Sequence, residues 1–210
     1  YKRQELIQGR VEAQSQEETD VTAEEETEKN ADFPGAPPFT VDLLDINEYS
    51  RPGIALEKIN GIVIHYTANP KSTAKQNRDY FEGLKDSHET KASSHFVVGI
   101  KGEIVQCIPS SEISYASNSR NSDTLSIECC HKDKSGKFTK ETYQSLVELV
   151  GWLCQRFGLT SEQVIRHYDV TGKNCPKYFV EHEDEWEQFK KDVDAQIAVV
   201  EQEVETASQQ

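Results

Sequence analysis

The chain has 210 residues, 37 of them acidic and 23 basic, for a formal charge of −14. That balance argues against DNA, RNA or anionic lipid as an electrostatic partner. No apolar run approaches the roughly 18 residues a membrane-spanning helix needs. The length suits one domain with an appendage.

Residues 1–36 carry ten acidic and four basic residues and few large apolar side chains beyond Leu6, Ile7 and Phe33. Such a stretch buries too little surface to offset its ordering entropy. It reads as a disordered acidic stalk closed by FPGAPP, and a chain opening on Tyr1 leaves room for a preceding leader or anchor. The globular part is expected over 37–200, with 201–210 as a polar tail.

FTVDLLDINEYSRPGIALEKIN, mixed in character, is expected along the domain surface. GIVIHYTA is a short β-branched apolar run between turn residues, the pattern of a strand buried on both faces. STAKQNRDYFEGL predicts a helix capped by Ser72. SHFVVGIKGEIVQCIP predicts a hairpin turning at Lys101–Gly102, and DTLSIECC a further strand. TYQSLVELVGWLCQRFG repeats apolar residues at helical spacing, with Gly158 placed to end the helix and Cys154 on its core stripe. A last helix is expected from about Glu183, with Trp186, Phe189, Val193 and Ile197 on one face. Strands alternate with helices, so the class is α/β, a mixed central sheet flanked by helices.

The chemistry concentrates in RHYDVTGKNCPKYF, residues 166–179, which places His167, Lys173 and Cys175 within nine residues. Far upstream, His65 ends the GIVIH strand. Two imidazoles and one thiolate suit a borderline-soft cation such as zinc, and three protein ligands leave a tetrahedral position open, as in a catalytic site. A thiolate ligand lowers the site charge relative to three histidines, so bound water is acidified less and a general base helps.

Glu128 is the candidate base. Alternation along TLSIECC sends Leu125, Ile127 and Cys129 to one face and Ser126, Glu128 and Cys130 to the other, and a carboxylate in so apolar a strand needs a partner or a task. The bland alternative pairs it with a surface lysine. Lys173 fits an oxyanion stabiliser or a solvated loop lysine, and Asp169 a group that orients His167 or pairs with Lys173, or a helix cap. His95 fits either the cleft or a structural role. The vicinal Cys129–Cys130 pair is a poor disulfide, because strand neighbours face opposite ways. No role is assigned to His88, His131 or His182.

GIVIHYTA, SSHFVVGIKGEIVQCIP, TLSIE and RHYDVTGKNCP, in this order over residues 40–197, resemble the zinc-dependent N-acetylmuramoyl-L-alanine amidases. These include phage endolysins and bacterial autolysins and are related to the peptidoglycan recognition proteins. The resemblance implies His65, His167 and Cys175 as Zn2+ ligands, Glu128 as catalytic base and Lys173 as transition-state stabiliser. It also implies a mixed sheet with zinc in a surface groove bordered by Tyr66, and by His95 if that ring faces the cleft. The implied reaction is hydrolysis of the amide between N-acetylmuramic acid and L-alanine in peptidoglycan, by an extracellular or cell-wall-associated enzyme. Two departures stand out: Ser94 replaces a tyrosine found in some branches, and Tyr115–Ala116 stand where many members have Trp-His. A non-catalytic muropeptide-binding module, a zinc peptidase cutting the stem peptide and a structural metal domain are the rival readings.

Overall fold

The computed structural model describes residues 33–209. The strands are β1 Thr40–Val41, β2 Ile62–Tyr66, β3 Phe96–Val98, β4 Ile104–Gln106, β5 Leu125–Cys129 and β6 Val164–Arg166. They form one mixed sheet in the order β1–β4–β3–β5–β2–β6. The β3–β4 hairpin is antiparallel, while β3, β5, β2 and β6 run parallel to one another. The helices are α1 Ala74–Ser87, α2 Lys140–Phe157, α3 His167–Thr171, α4 Lys177–Glu181 and α5 Glu183–Ser208.

Period-two alternation sorts the strand side chains between two cores. Ile62, Ile64, Phe96, Val98, Leu125, Ile127 and Cys129 meet α2 and α5 through Leu146, Leu149, Leu153, Phe189 and Val193. Val97, Val105 and Cys107 meet α1 through Ala74, Phe81 and Leu84. Leu146 is fully buried, and truncating such a leucine to alanine typically costs about 2–5 kcal/mol. Cys154 lies in the larger core, as its place on the helical stripe predicts. Gly158 ends α2 in the left-handed region at φ 65°, which glycine adopts without steric penalty.

Three boundaries differ from expectation. The α1 cap is Thr73 rather than Ser72: Thr73 has extended geometry and accepts from the N–H of Gln76, whose side chain returns to the Thr73 N–H. The Ser72 hydroxyl instead donates to the carbonyl of Asn69. At the N-terminal edge, Phe33 packs edge-on against Trp152 at 6.2 Å, and Ala36 packs against the main core, so the folded domain begins before residue 37. The rest of the expected stalk, residues 1–32, lies outside the described residues. At the other edge α5 continues to Ser208, because the apolar stripe goes on through buried Val200 and partly buried Val204. Among the described residues, no helix is long and apolar enough to cross a membrane.

Candidate active site

The parallel strands β2, β5 and β6 end side by side, and the crevice beyond the carboxyl ends of such strands is where α/β folds place ligands. His65 is the fourth residue of β2 and pairs in register with Glu128 on β5. β6 ends at Arg166, and the next residue, His167, opens α3. The α3 turn closes at Gly172, and the loop returns so that the Cys175 carbonyl accepts from the Tyr168 N–H at 2.9 Å. The peptide bond from Cys175 to Pro176 is cis. One nitrogen each from His65 and His167 and the sulfur of Cys175 thus lie within 4.8 Å of one another, all three residues buried.

The hydrogen bonds identify the atoms that face inward. His65 Nδ1 is 3.9 Å from Cys175 Sγ, while its Nε2 meets Ser117 Oγ at 3.1 Å. His167 Nε2 meets Asn118 Oδ1 at 3.0 Å, and its buried Nδ1 has no partner. The two rings lie 4.6 Å apart. Burial, then the neighbouring His167 and Lys173, hold His65 well below its usual range, and burial followed by Lys173 lowers His167. Both rings are neutral near pH 7, the form in which imidazole ligates metal. Burial raises the Cys175 thiol to about 12, with Glu128 adding to the rise and Lys173 opposing it. Two neutral imidazoles and a thiol, with an orphaned lone pair turned toward them, fit a thiophilic divalent cation.

Glu128 is partly open to a groove, yet its Oε2 is shut away from solvent and lacks a partner. Burial pushes its carboxyl up to about 8, against the lowering effect of Lys173. Lys173 is exposed and lines the same groove with Glu128, Tyr66, Thr67, Asn69, Asn77 and Tyr80, around a volume of about 450 Å³. Thr67 Oγ1 is a further buried atom without a partner. A larger cavity of about 640 Å³ lies elsewhere, under Phe33, Trp152 and Phe157. It contains none of the orphaned polar atoms found among the described residues, so chemistry favours the smaller groove.

Tyr66 lines the groove and packs against the His131 ring at a tilt, 5.2 Å away. His95 does not border it. Its ring is fully buried, Nδ1 accepts from the Ser126 N–H at 3.0 Å, and Nε2 donates to the Glu112 carbonyl at 2.8 Å. With both nitrogens engaged, His95 is structural. Asp169 takes the capping role: it accepts from the Arg166 backbone N–H and pairs with its guanidinium at 2.9 Å. The Arg166 guanidinium also reaches Glu183 and the Phe179 carbonyl, tying α3 to the start of α5.

Ser117 and Asn118 escaped sequence reasoning, since SNSR reads as ordinary loop. Asn118 has φ 52°, a left-handed conformation that asparagine tolerates better than most residues, but no sequence pattern announces its contact with a ring 49 positions away.

The family profile for N-acetylmuramoyl-L-alanine amidases matches residues 55–178, more than half of the chain. The chain is 38% identical over 166 residues to the N-acetylmuramoyl-L-alanine amidase CwlL of Bacillus licheniformis, an alignment covering 73% of this chain and 46% of that protein. It is 31% identical over 181 residues to the amidase BlyA of Bacillus subtilis strain 168, covering 76% and 48%. The chain thus spans about half the length of the curated relatives it matches. The solved structure of PlyL superposes with a TM-score of 0.66 at 22% identity, covering 76% of this chain and 99% of that one, a likeness of fold.

Proposed function

We propose that this chain, which belongs to the N-acetylmuramoyl-L-alanine amidase family, hydrolyses the amide joining N-acetylmuramic acid to L-alanine in peptidoglycan, with a zinc ion held by His65, His167 and Cys175. The observation that carries the reading is the convergence of uncommitted groups. His167 Nδ1 and Glu128 Oε2 are buried without partners, beside a thiol and a second imidazole within metal-binding reach. A fold does not keep such atoms unsatisfied without cost, since each forfeits about 1–3 kcal/mol. A bound ligand set supplies the missing interactions.

Zinc in this site contributes Lewis acidity toward a carbonyl oxygen and toward water. Glu128 works as the general base: it takes a proton from the attacking water and returns it to the departing amine of alanine. Its carboxyl must be ionised to begin, and the positive charge of Lys173 already acts in that direction against burial. A cation in the trio adds to the same effect. Lys173, at the groove wall, meets the oxygen on which negative charge develops as the carbonyl becomes tetrahedral. Tyr66 and the polar side chains of Asn69 and Asn77 line the wall along which the stem peptide lies. The substrate places the site of action at the cell wall.

The test is digestion of purified peptidoglycan with and without chelator, the products read by mass spectrometry. New L-alanine amino termini that vanish on chelation and return with zinc support the amidase. Tight binding with the sugar–peptide bond left intact makes the chain a muropeptide-binding module. Cleavage at another stem bond keeps the zinc chemistry and discards the substrate.

A further inference from the structure

The two histidines of the trio are held from behind by consecutive residues. Ser117 Oγ stands 3.1 Å from His65 Nε2, and Asn118 Oδ1 stands 3.0 Å from His167 Nε2. An imidazole has one N–H and one lone pair when neutral, and the group that engages one nitrogen decides what the other offers. For His167 the choice is unambiguous. An Nδ1–H would be a buried donor facing the other ligands with nothing to bond, whereas an Nε2–H donates to the Asn118 amide oxygen and leaves the Nδ1 lone pair pointing inward. For His65 both contacts accommodate the same tautomer, with Nε2–H donating to Ser117 Oγ and Nδ1 accepting from the Cys175 thiol, since a hydroxyl and a thiol can each take either role.

The loop carrying this pair is built to hold it. Asn121 Oδ1 accepts from the N–H groups of Ala116 and Ser117 at 3.1 and 2.6 Å. The carbonyl of Arg120 accepts from Thr124 Oγ1 at 2.6 Å, and the Arg120 guanidinium pairs with Asp123 at 2.7 Å, which ties the loop to the start of β5. Ser117 is 1% exposed, so its hydroxyl is withdrawn from competing water. Asn118 stands in the left-handed region at φ 52°, at the N-terminal end of the short turn Asn118–Arg120.

We infer that Ser117 and Asn118 are positioning residues that lock His65 and His167 in the Nε2–H tautomer, presenting both Nδ1 lone pairs to zinc. The inference rests on the zinc reading above and adds to it two residues that do not touch the metal. Partners of this outer kind change metal affinity by about 10- to 100-fold when removed.

The experiment compares the full chain with Asn118→Gly, Asn118→Asp and Ser117→Ala. Glycine keeps the left-handed backbone without steric penalty and removes the acceptor, aspartate keeps an acceptor oxygen, and Ser117→Ala makes no demand on the backbone. Zinc affinity is measured by competition with a chromophoric chelator. The metal-free proteins are examined by 1H–15N NMR for a slowly exchanging ring proton on His167 Nε2. Asn118→Gly should bind zinc about 10- to 100-fold more weakly and lose that signal, Asn118→Asp should recover both, and Ser117→Ala should weaken zinc binding with the His167 signal retained. Native-like zinc affinity in Asn118→Gly overturns the inference. Should that variant fail to fold, native-like affinity in Ser117→Ala overturns it instead. A native chain that takes up no zinc while showing the His167 ring proton sinks the metal reading and, with it, the purpose assigned to the lock.

Discussion

Two buried histidine sites flank strand β5, and they are finished differently. On one side His95 has both nitrogens committed to the protein: Nδ1 to the Ser126 N–H and Nε2 to the Glu112 carbonyl. Ser126 continues that network to Ser114 at 2.7 Å, and Ser94 donates into it. On the other side His65 and His167 are also buried and also tied at Nε2, yet His65 Nδ1 meets the Cys175 thiol and His167 Nδ1 has no partner. Burial therefore does not separate the two kinds of histidine, and neither does an unpaired nitrogen by itself, since His131 Nε2 is also buried without a partner. A satisfied ring such as His95 has no capacity left for a ligand, while His65 and His167 combine free capacity with convergence on a thiol.

The comparison can be broken by mutation. Cys175→Ser removes the thiolate, and zinc content and peptidoglycan hydrolysis should disappear together, a fall in turnover of at least about 10³-fold; retained hydrolysis without metal would end the zinc reading. Glu128→Gln should keep stoichiometric zinc while turnover drops about 10²–10⁴-fold. Lys173→Ala should lower turnover about 10- to 100-fold with zinc bound as before, since it removes one charge-stabilising contact from an exposed position. His95→Ala should do the opposite of all three: zinc uptake and hydrolysis persist in the folded fraction, while stability falls by about 2–4 kcal/mol as the Ser126 N–H and the Glu112 carbonyl lose their partner. A His95 variant of native stability that cannot hydrolyse peptidoglycan would return that residue to the groove.

Acid and base sharpen the same contrast with opposite slopes. Burial lowers His95 to about 4 from an ordinary 6.5, so the unfolded chain binds the extra proton first. Stability from this group is present above pH 6.5 and drains away as pH falls through about 4. Burial raises Glu128 to about 8 from 4.5, so in the metal-free chain the folded form holds the proton longer. Its contribution is present below pH 4.5 and is lost as pH rises through about 8. Thermal melts of the metal-free chain should show both flanks, and Glu128→Gln should flatten the alkaline one by roughly 1–3 kcal/mol. An unchanged alkaline flank in that variant would mean that Glu128 does not carry the slope.

Much of this was legible in the chain itself, for reasons of periodicity. GIVIH and TLSIE are apolar and β-branched enough to be interior strands, and two-residue alternation put Glu128 on the face opposite Leu125 and Ile127. The α2 stripe and its closing Gly158 followed from helical spacing. The α5 stripe was legible too, and its continuation through Val200 and Val204 lay in the sequence among the polar residues of the C-terminal segment. Less accessible were choices among near neighbours. Ser72 and Thr73 are equally good caps in isolation, and the capping box with Gln76 selects Thr73.

The sequence alone determined the types of the long helices and of strands β2 to β5, the polar exception in β5 and the presence of side chains able to bind metal, because each depends on residues within a few positions of one another. The short elements β1, β6, α3 and α4 were not read from it. Tertiary structure decided which histidines converge with the Cys175 thiol and which are enclosed by the protein's own hydrogen bonds. That depends on what stands around each ring: the groups behind His65, His95 and His167 lie between 17 and 52 residues away, and the Cys175 thiol that His65 faces lies 110 away. Contacts at such separations are settled by sheet order and loop closure. A local pattern of residue types contains no record of them.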